Sequence, residues 1–262
     1  MTDRAAMFSG PGAAAYDRFV GRNCPPLAAA LCDAAGIEAG QRALDVGCGS
    51  GALAGELARR LGAANVTAID PSEPFVEAAR SRVPGARILV GSAEALPCED
   101  DEFDATLSQL VVNFLTDPDR GLHEMVRVTR QGGVVAGCVW DYRSEMTMLR
   151  TFWDAATALD SEAADEGASM RFATPEELHE LWAGAGLAQV GVAPLVVEAS
   201  YEDFDDLWQP FTAGVGPAGA YTTSLQPERQ AALREELARR LRNPSGRFTL
   251  SARAWCAVGA VA

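Results

Sequence analysis

Leu44-Asp45-Val46-Gly47-Cys48-Gly49-Ser50-Gly51 is the stretch from which the rest of this chain is read. Before it, Arg42-Ala43-Leu44-Asp45-Val46 reads as a short buried strand ended by the glycine loop. After it, Gly51 to Leu61 has the spacing of an amphipathic helix, stopped by Gly62. Between the two, the glycines let the backbone turn through positive φ and come close to a ligand. The free N–H groups at the start of a helix favour an anionic or polar ligand there.

Outward from this loop, strands and helices alternate. Asn65 to Ile69 reads as a second strand, and Ser72 caps a helix that runs to Arg82. Arg87 to Val90 reads as a third strand and Phe103 to Ser108 as a fourth. Pro118 to Val128 is a helix, Gln131 to Gly133 a turn, and Val134 to Trp140 a fifth strand. This rhythm predicts parallel βαβ units in a doubly wound α/β sheet. It changes after residue 140. Helices are expected at Met146 to Leu159, from Thr174 to Gly184, at Phe204 to Phe211 and at Gln226 to Leu241. Residues 160–173 and 213–219 read as loops, and Val190 to Val197 and Arg247 to Ala260 as closing strands.

Composition removes several function classes. The chain has 262 residues and a formal net charge of −14, which opposes a nucleic acid or an anionic membrane surface as partner. No apolar run is long enough to span a bilayer. All 22 cationic residues are arginine, so mechanisms that need a lysine are excluded. Cys24, Cys32, Cys48, Cys98, Cys138 and Cys256 are scattered, and the two histidines, His123 and His179, lie far apart. No metal site is expected from this set. With no signal-peptide pattern at the N-terminus, six such cysteines read as reduced thiols in the cytoplasm.

The Gly-x-Gly-x-Gly pattern alone suits a nicotinamide fold, a flavin fold or a methyltransferase. Its neighbours narrow the choice. Without a lysine, a phosphate-binding loop for nucleoside triphosphates fails. Asp70 ends the next strand, where a carboxylate can accept both hydroxyls of an adenosine ribose. A nicotinamide dinucleotide would use it equally well. Asp45, just before the glycines, would repel a pyrophosphate but attract an ammonium or a sulfonium. That difference favours S-adenosylmethionine over a dinucleotide.

These residues resemble the class I S-adenosylmethionine-dependent methyltransferases, and more closely the methyltransferase type 11 or UbiE-like branch. Leu44 to Gly51 is similar to that family's first motif and Ala68-Ile69-Asp70-Pro71-Ser72 to its second. Gly91 to Pro97 with Phe103-Asp104 is similar to the third. Ser108-Gln109 through Asp117, Glu124 to Val128 and Gly132-Gly133 is similar to the fourth. The resemblance covers roughly residues 14–140. It implies a Rossmann-like, seven-stranded doubly wound sheet, mostly parallel with one antiparallel strand near the C-terminus, plus helical cap elements. A single domain over 1–262 is expected. Its parts are an N-terminal helical lid at 1–40, a cofactor-binding core at 41–140, substrate-capping insertions at 141–186 and 199–246, and closing strands at 187–198 and 247–262.

The resemblance also implies roles. Gly47, Cys48 and Gly49 would pass under the methionine part of the cofactor, and Asp45 would hold the loop and the ammonium side. Asp70 would take the ribose diol, with Pro71 near the adenine. Ala93 and Glu94 would flank the adenine edge, beside Ser92, which stands where the family usually has Asp. Gln109 and Leu110 would line the methyl-transfer point. Tyr16 and Arg22 belong to a segment that folds over the cofactor in similar proteins. Arg22 suits the methionine carboxylate, and a solvated surface arginine explains it equally well.

Trp140 and Tyr142 follow the fifth strand, at the carboxyl end of the sheet, where open α/β folds bind ligands. They are candidate walls for an aromatic or lipophilic small-molecule acceptor, and core packing accounts for them equally. Tyr16, Asp141 and Tyr142 are the candidate general bases. The rival readings are an NAD-dependent oxidoreductase on the same fold and a non-catalytic cofactor-binding module.

Overall fold

The computed structural model describes residues 17–262, so Tyr16 lies outside the described residues. A 3-10 turn, Val20–Asn23, leads into α1 (Cys24–Ala34). Then follow β1 (Ala43–Val46), α2 (Ala52–Leu61), β2 (Val66–Asp70), α3 (Glu73–Arg82), β3 (Arg87–Val90), β4 (Phe103–Gln109), α4 (Pro118–Val128) and β5 (Thr129–Trp140). The second half holds α5 (Thr147–Leu159), α6 (Glu166–Ser169), α7 (Pro175–Gly184), β6 (Ala188–Tyr201), α8 (Phe204–Thr212), α9 (Gly216–Ser224), α10 (Pro227–Arg240) and β7 (Phe248–Ala260).

The strands form one seven-stranded sheet in the order β3-β2-β1-β4-β5-β7-β6. β1 pairs in parallel with β2 and β4, β2 with β3, and β4 with β5, while β7 runs antiparallel to β5. β1 and β2 are buried at every position, and both are mainly apolar, broken by Asp45 in β1 and by Thr67 and Asp70 in β2. Strand order reverses direction between β1 and β4. Ligands of open α/β sheets bind at such a switch, beyond the carboxyl ends of the strands.

Two compact units divide the described chain. One comprises Cys24–Trp140, Arg171–Leu195 and Ala254–Ala262, and its core is built from Leu27, Leu31, Leu44, Leu57, Ile69 and Phe103. Trp182 of α7 packs there against Gly137, with its indole N–H donating to Val135 O at 3.1 Å. A side chain at 137 would collide with that ring. The other unit comprises residues 17–23, Asp141–Met170 and Val196–Arg253. Its centre is aromatic: Phe152 stacks on Phe211 at 4.4 Å, and Phe19 meets Phe211 edge-on at 4.9 Å.

Three stretches differ from their sequence reading. Residues 213–219 were expected as a loop, yet α9 starts at Gly216. Pro217 suits a first helical turn, and Gly219 lies so close to Gly214 that only a glycine fits. The acidic stretch 160–173 contains the short α6, because Asp165 caps it by accepting the Gly167 N–H at 2.8 Å. Gln131 to Gly133, expected as a turn, is taken into β5. The partner of Phe103 is Thr129 and that of Ala105 is Val134, so β5 bulges there, with Gly132 at φ 73°.

Candidate functional site

The glycine loop is held by β2. Gly47 and Cys48 both donate their N–H to Ile69 O, at 2.7 and 2.9 Å. Gly47, Gly49 and Gly51 have φ of 75°, 52° and 89°, in the left-handed region that L side chains avoid. Their surroundings differ. A Cβ on Gly47 would run into the Val111 side chain, and one on Gly51 would press on Ala79 at 3.2 Å. A Cβ on Gly49 would meet nothing within 4 Å. Gly47 and Gly51 are thus required by packing, whereas the space beside Gly49 is open.

Asp70 closes the other side of the loop. Its Oδ2 accepts the Gly49 N–H at 2.9 Å and its Oδ1 the Ser72 N–H at 2.8 Å. Burial pushes its carboxyl above the usual range, and these two N–H groups offset the push. Each oxygen keeps a lone pair for a further donor, as a ribose diol requires. Pro71, next in the chain, is exposed.

Asp45 is fully buried, and among the described residues neither of its oxygens has a hydrogen-bond partner. Burial pushes the carboxyl up to about 8. The backbone N–H of Ala54, though outside hydrogen-bonding geometry, lowers it in part, and Asp70 raises it further. Cys48 lies in the same environment, where burial and the two carboxylates drive its thiol far up. It is a small residue filling the turn, not a nucleophile.

Register brings the remaining residues into line. Asp45 pairs with Ala68 of β2 and Leu107 of β4, and Gln109 pairs with Cys138 of β5. Side chains alternate along a strand, so Asp70, Asp45, Gln109 and Trp140 share one face of the sheet at its carboxyl end. Gln109 donates to Cys24 O at 3.1 Å, while its Oε1 is buried without a partner. Trp140 is 1% exposed and among the described residues its indole Nε1 also lacks a partner, as does the hydroxyl of Ser108, which alternation turns to the opposite face. Buried polar atoms are nearly always paired, so several orphans at the carboxyl ends of neighbouring strands mark a place where a ligand or water completes the set. Leu110 adds backbone strain at the same point. Its φ is 63°, and its N–H donates to Cys138 O at 2.9 Å.

Other residues singled out from the sequence stand elsewhere. Glu94 Oε1 accepts the N–H groups of Thr116 and Asp117, at 2.9 and 3.0 Å, and the Glu94 N–H donates to Ser92 Oγ at 3.1 Å. Its carboxylate therefore braces the entry to α4. Ser92 is exposed and Ala93 buried. Arg22 is neither a free surface arginine nor open to a ligand carboxylate. Its guanidinium grips Asp206 with two bonds of 3.0 Å, donates to Ser200 O at 2.9 Å and lies 4.4 Å over the Tyr201 ring. Asp141, a candidate base, is buried against Arg253, whose Nη2 is 2.5 Å from Oδ2. That ion pair holds the chain as it leaves β5 and occupies the carboxylate a base would need. Tyr142 is buried, with its carbonyl against Gly167. His123 and His179 are exposed on helices, the former with Nδ1 2.7 Å from Asp119 O. Among the described residues no cluster of three metal-ligating side chains occurs, and no helix is long and apolar enough to cross a membrane.

The sequence reading gave Ser108 no role beyond its place in the fourth motif, and it missed the strain at Leu110 and the partnership of Arg22 with Asp206. Nothing local marks them, since each depends on pairing register or on a contact across many residues.

With this geometry in place, comparison with known proteins is informative. Residues 44–137 match the family described as a methyltransferase domain. The chain carries a methyltransferase domain of the class I, S-adenosylmethionine-dependent kind. Over 107 residues this methyltransferase domain is 36% identical to an uncharacterized methyltransferase of Mycobacterium tuberculosis, covering 41% of this chain and 42% of that one. Over 95 residues it is 39% identical to a rice chloroplastic 2-methyl-6-phytyl-1,4-hydroquinone methyltransferase, covering 36% of this chain and 27% of the other. The matches thus span less than half the length of these curated relatives. The fold extends further. A putative methyltransferase from an antibiotic biosynthesis pathway of Anabaena variabilis superposes with a TM-score of 0.59 at 17% identity, over 88% of this chain and 95% of that one.

The residues of the loop suit the cofactor of this class. Asp70 presents a diol acceptor, Gly49 an open approach, and Asp45 an uncompensated buried carboxyl where an ammonium or sulfonium would be drawn.

Proposed function

We propose that the protein transfers a methyl group from S-adenosylmethionine to a small-molecule acceptor by in-line displacement. The observation that carries this reading is the pair of buried carboxyls, Asp45 and Asp70, flanking a glycine loop whose open side lies at Gly49, while Arg82 meets the loop at Ser50 Oγ, at 3.0 Å. A pyrophosphate at this loop would meet the Asp70 carboxylate as a like charge and give the buried Asp45 nothing to pair with. A ligand with a ribose diol and a cationic end meets two acceptors.

The bound cofactor supplies an activated methyl on a sulfonium, so positioning does much of the catalytic work. On this reading Asp70 binds the ribose hydroxyls, and Gly47 and Gly49 carry the backbone under the methionine part. Gln109 and Leu110 border the transfer point, and Trp140 walls the acceptor. Ser92 and Ala93 border the adenine. With the Asp141 carboxylate held by Arg253, Tyr142 and Tyr16 remain as polar candidates for deprotonating an acceptor. An aromatic or lipophilic acceptor follows from the apolar bulk of Trp140. The rice relative's name, that of a hydroquinone methyltransferase, points the same way. The negative charge favours such an acceptor over nucleic acid. Six free cysteines suit a reducing, cytoplasmic setting.

Calorimetric titration tests the reading. S-adenosylhomocysteine should bind the wild type, Asp70→Ala should lose at least ~10-fold in affinity, and NAD(H) should not bind. Binding of NAD(H) in its place would make the protein an oxidoreductase.

A further inference from the structure

Asp45 has an electrostatic problem that the fold leaves unsolved. Its carboxyl is fully buried, and among the described residues neither oxygen has a hydrogen-bond partner. The groups around it do not compensate. β2 contributes Asp70, the glycine loop Cys48 and α1 Cys32, all of them acids. β4 sets Leu107 opposite it. α2 offers the Ala54 N–H, while its charged pair, Arg60 and Glu56, is closed at 2.7 Å and Arg60 also reaches Asp33 at 2.7 Å. A buried carboxylate with neither donor nor counter-ion is costly enough that the group takes up a proton. Burial raises Asp45 to about 8, so with the loop empty it is protonated at neutral pH.

We propose that the ammonium-bearing end of the cofactor takes the place of the Asp45 proton, so that cofactor binding is a proton exchange. This rests on the glycine loop being the cofactor site. The O–H bond of the Asp45 carboxyl breaks, the proton leaves to solvent, and the carboxylate left behind is paired with the ligand's cation. Two consequences follow. Affinity rises with pH by up to ~10-fold per unit while Asp45 is still protonated in the free protein. The rise stops near the ordinary range of an α-amino group, ~7.7–8.0, where the ligand loses its own charge. The exchange also makes the site selective for the amino-acid end of the cofactor, since an adenosine thioether without it has nothing to offer the carboxylate.

The test is calorimetry at pH 7 in two buffers of low and high ionisation enthalpy. The probes are S-adenosylhomocysteine, which carries the ammonium, and 5′-methylthioadenosine, which keeps the ribose and thioether but lacks it. Wild type should release ~0.5–1 proton on binding the first and none on binding the second. Asp45→Asn should still bind and should release none with either. Binding of S-adenosylhomocysteine without proton release overturns the proposal and leaves the cofactor site standing, and equal release with both probes also overturns it. If neither probe binds, the cofactor reading falls and takes the proposal with it. Should Asp45→Asn fail to fold, the two probes on wild type decide the matter alone.

Discussion

The two units of the chain treat their buried polar groups in opposite ways. In the unit built on Cys24–Trp140, Asp45, Ser108, Gln109 and Trp140 keep buried polar atoms without partners, all at the carboxyl ends of β1, β4 and β5. In the unit built on Asp141–Met170 and Val196–Arg253, buried and half-exposed polar groups are closed on one another. Arg22 grips Asp206, Arg253 grips Asp141, Arg150 reaches Asp165 at 2.7 Å, and the Trp153 indole donates to Glu166 at 2.9 Å. Asn23 Oδ1 is the exception there. An orphaned polar atom costs stability unless a ligand or water completes it, so orphans persist where binding requires them. The first unit is therefore arranged for a polar ligand, and the second is held together by its own ion pairs.

Four experiments break or sharpen this contrast. The largest effect is expected at Gly47. Gly47→Ala combines a left-handed φ with a collision on Val111 and should cost ~2–4 kcal/mol of stability in chemical denaturation. Gly49→Ala, facing open space, should cost only ~1 kcal/mol and show its effect in cofactor affinity. Equal losses at both would mean that the space beside Gly49 is not kept for a ligand.

Next comes Asp70. Removing a carboxylate that orders two backbone N–H groups should weaken S-adenosylhomocysteine by roughly 1.5–3 kcal/mol in a calorimetric titration. Arg22→Ala in the other unit should leave that affinity within ~2-fold. A loss at Arg22 as large as that at Asp70 would return it to the cofactor.

The third is a pH effect on the ligand-free protein. Burial raises Asp45 to about 8 and Glu166 to about 7, so the folded state keeps protons that the unfolded chain releases near pH 4. Stability should then fall as pH rises through each window, by up to ~1.4 kcal/mol per unit per group. Glu166→Gln should remove the part of the slope that ends near pH 7, and Asp45→Asn the part that continues to pH 8. Thermal melts between pH 5 and 9 would show this, and a flat wild-type profile would contradict both burial arguments.

The smallest effect is expected at Asp206. Its pair with Arg22 is half-exposed, so Asp206→Ala should cost about 1 kcal/mol and lower the melting temperature by a few degrees. No change would mean that this pair does not brace its unit.

Much of the core was legible along the chain because parallel strands are buried on both faces. β1 and β2 show as short, mainly apolar runs, each carrying one carboxylate, and the turn between β1 and α2 must be glycine for steric reasons that act locally. The same local logic placed the start of α7 at Thr174, whose hydroxyl caps the helix by accepting the Glu177 N–H at 3.3 Å. It failed at α9, where glycine reads as a loop, whereas Gly219 is present because the helix packs against Gly214. At Glu94, Arg22 and Asp141 the residue type suggested a ligand contact, and long-range partners had already taken the side chain.

The sequence by itself determined the alternating strands and helices, the glycine loop, the carboxyls Asp45 and Asp70 and the overall negative charge, since these follow from composition and short-range spacing. Tertiary structure alone decided which residues act together. Pairing register places Asp70, Asp45, Gln109 and Trp140 on one face, because a shift of one residue in any strand would turn its side chains to the other side. Burial decided the state of Asp45: the same carboxyl would be ionised in water, whereas burial beside Asp70, with no hydrogen-bond partner among the described residues, raises it to about 8.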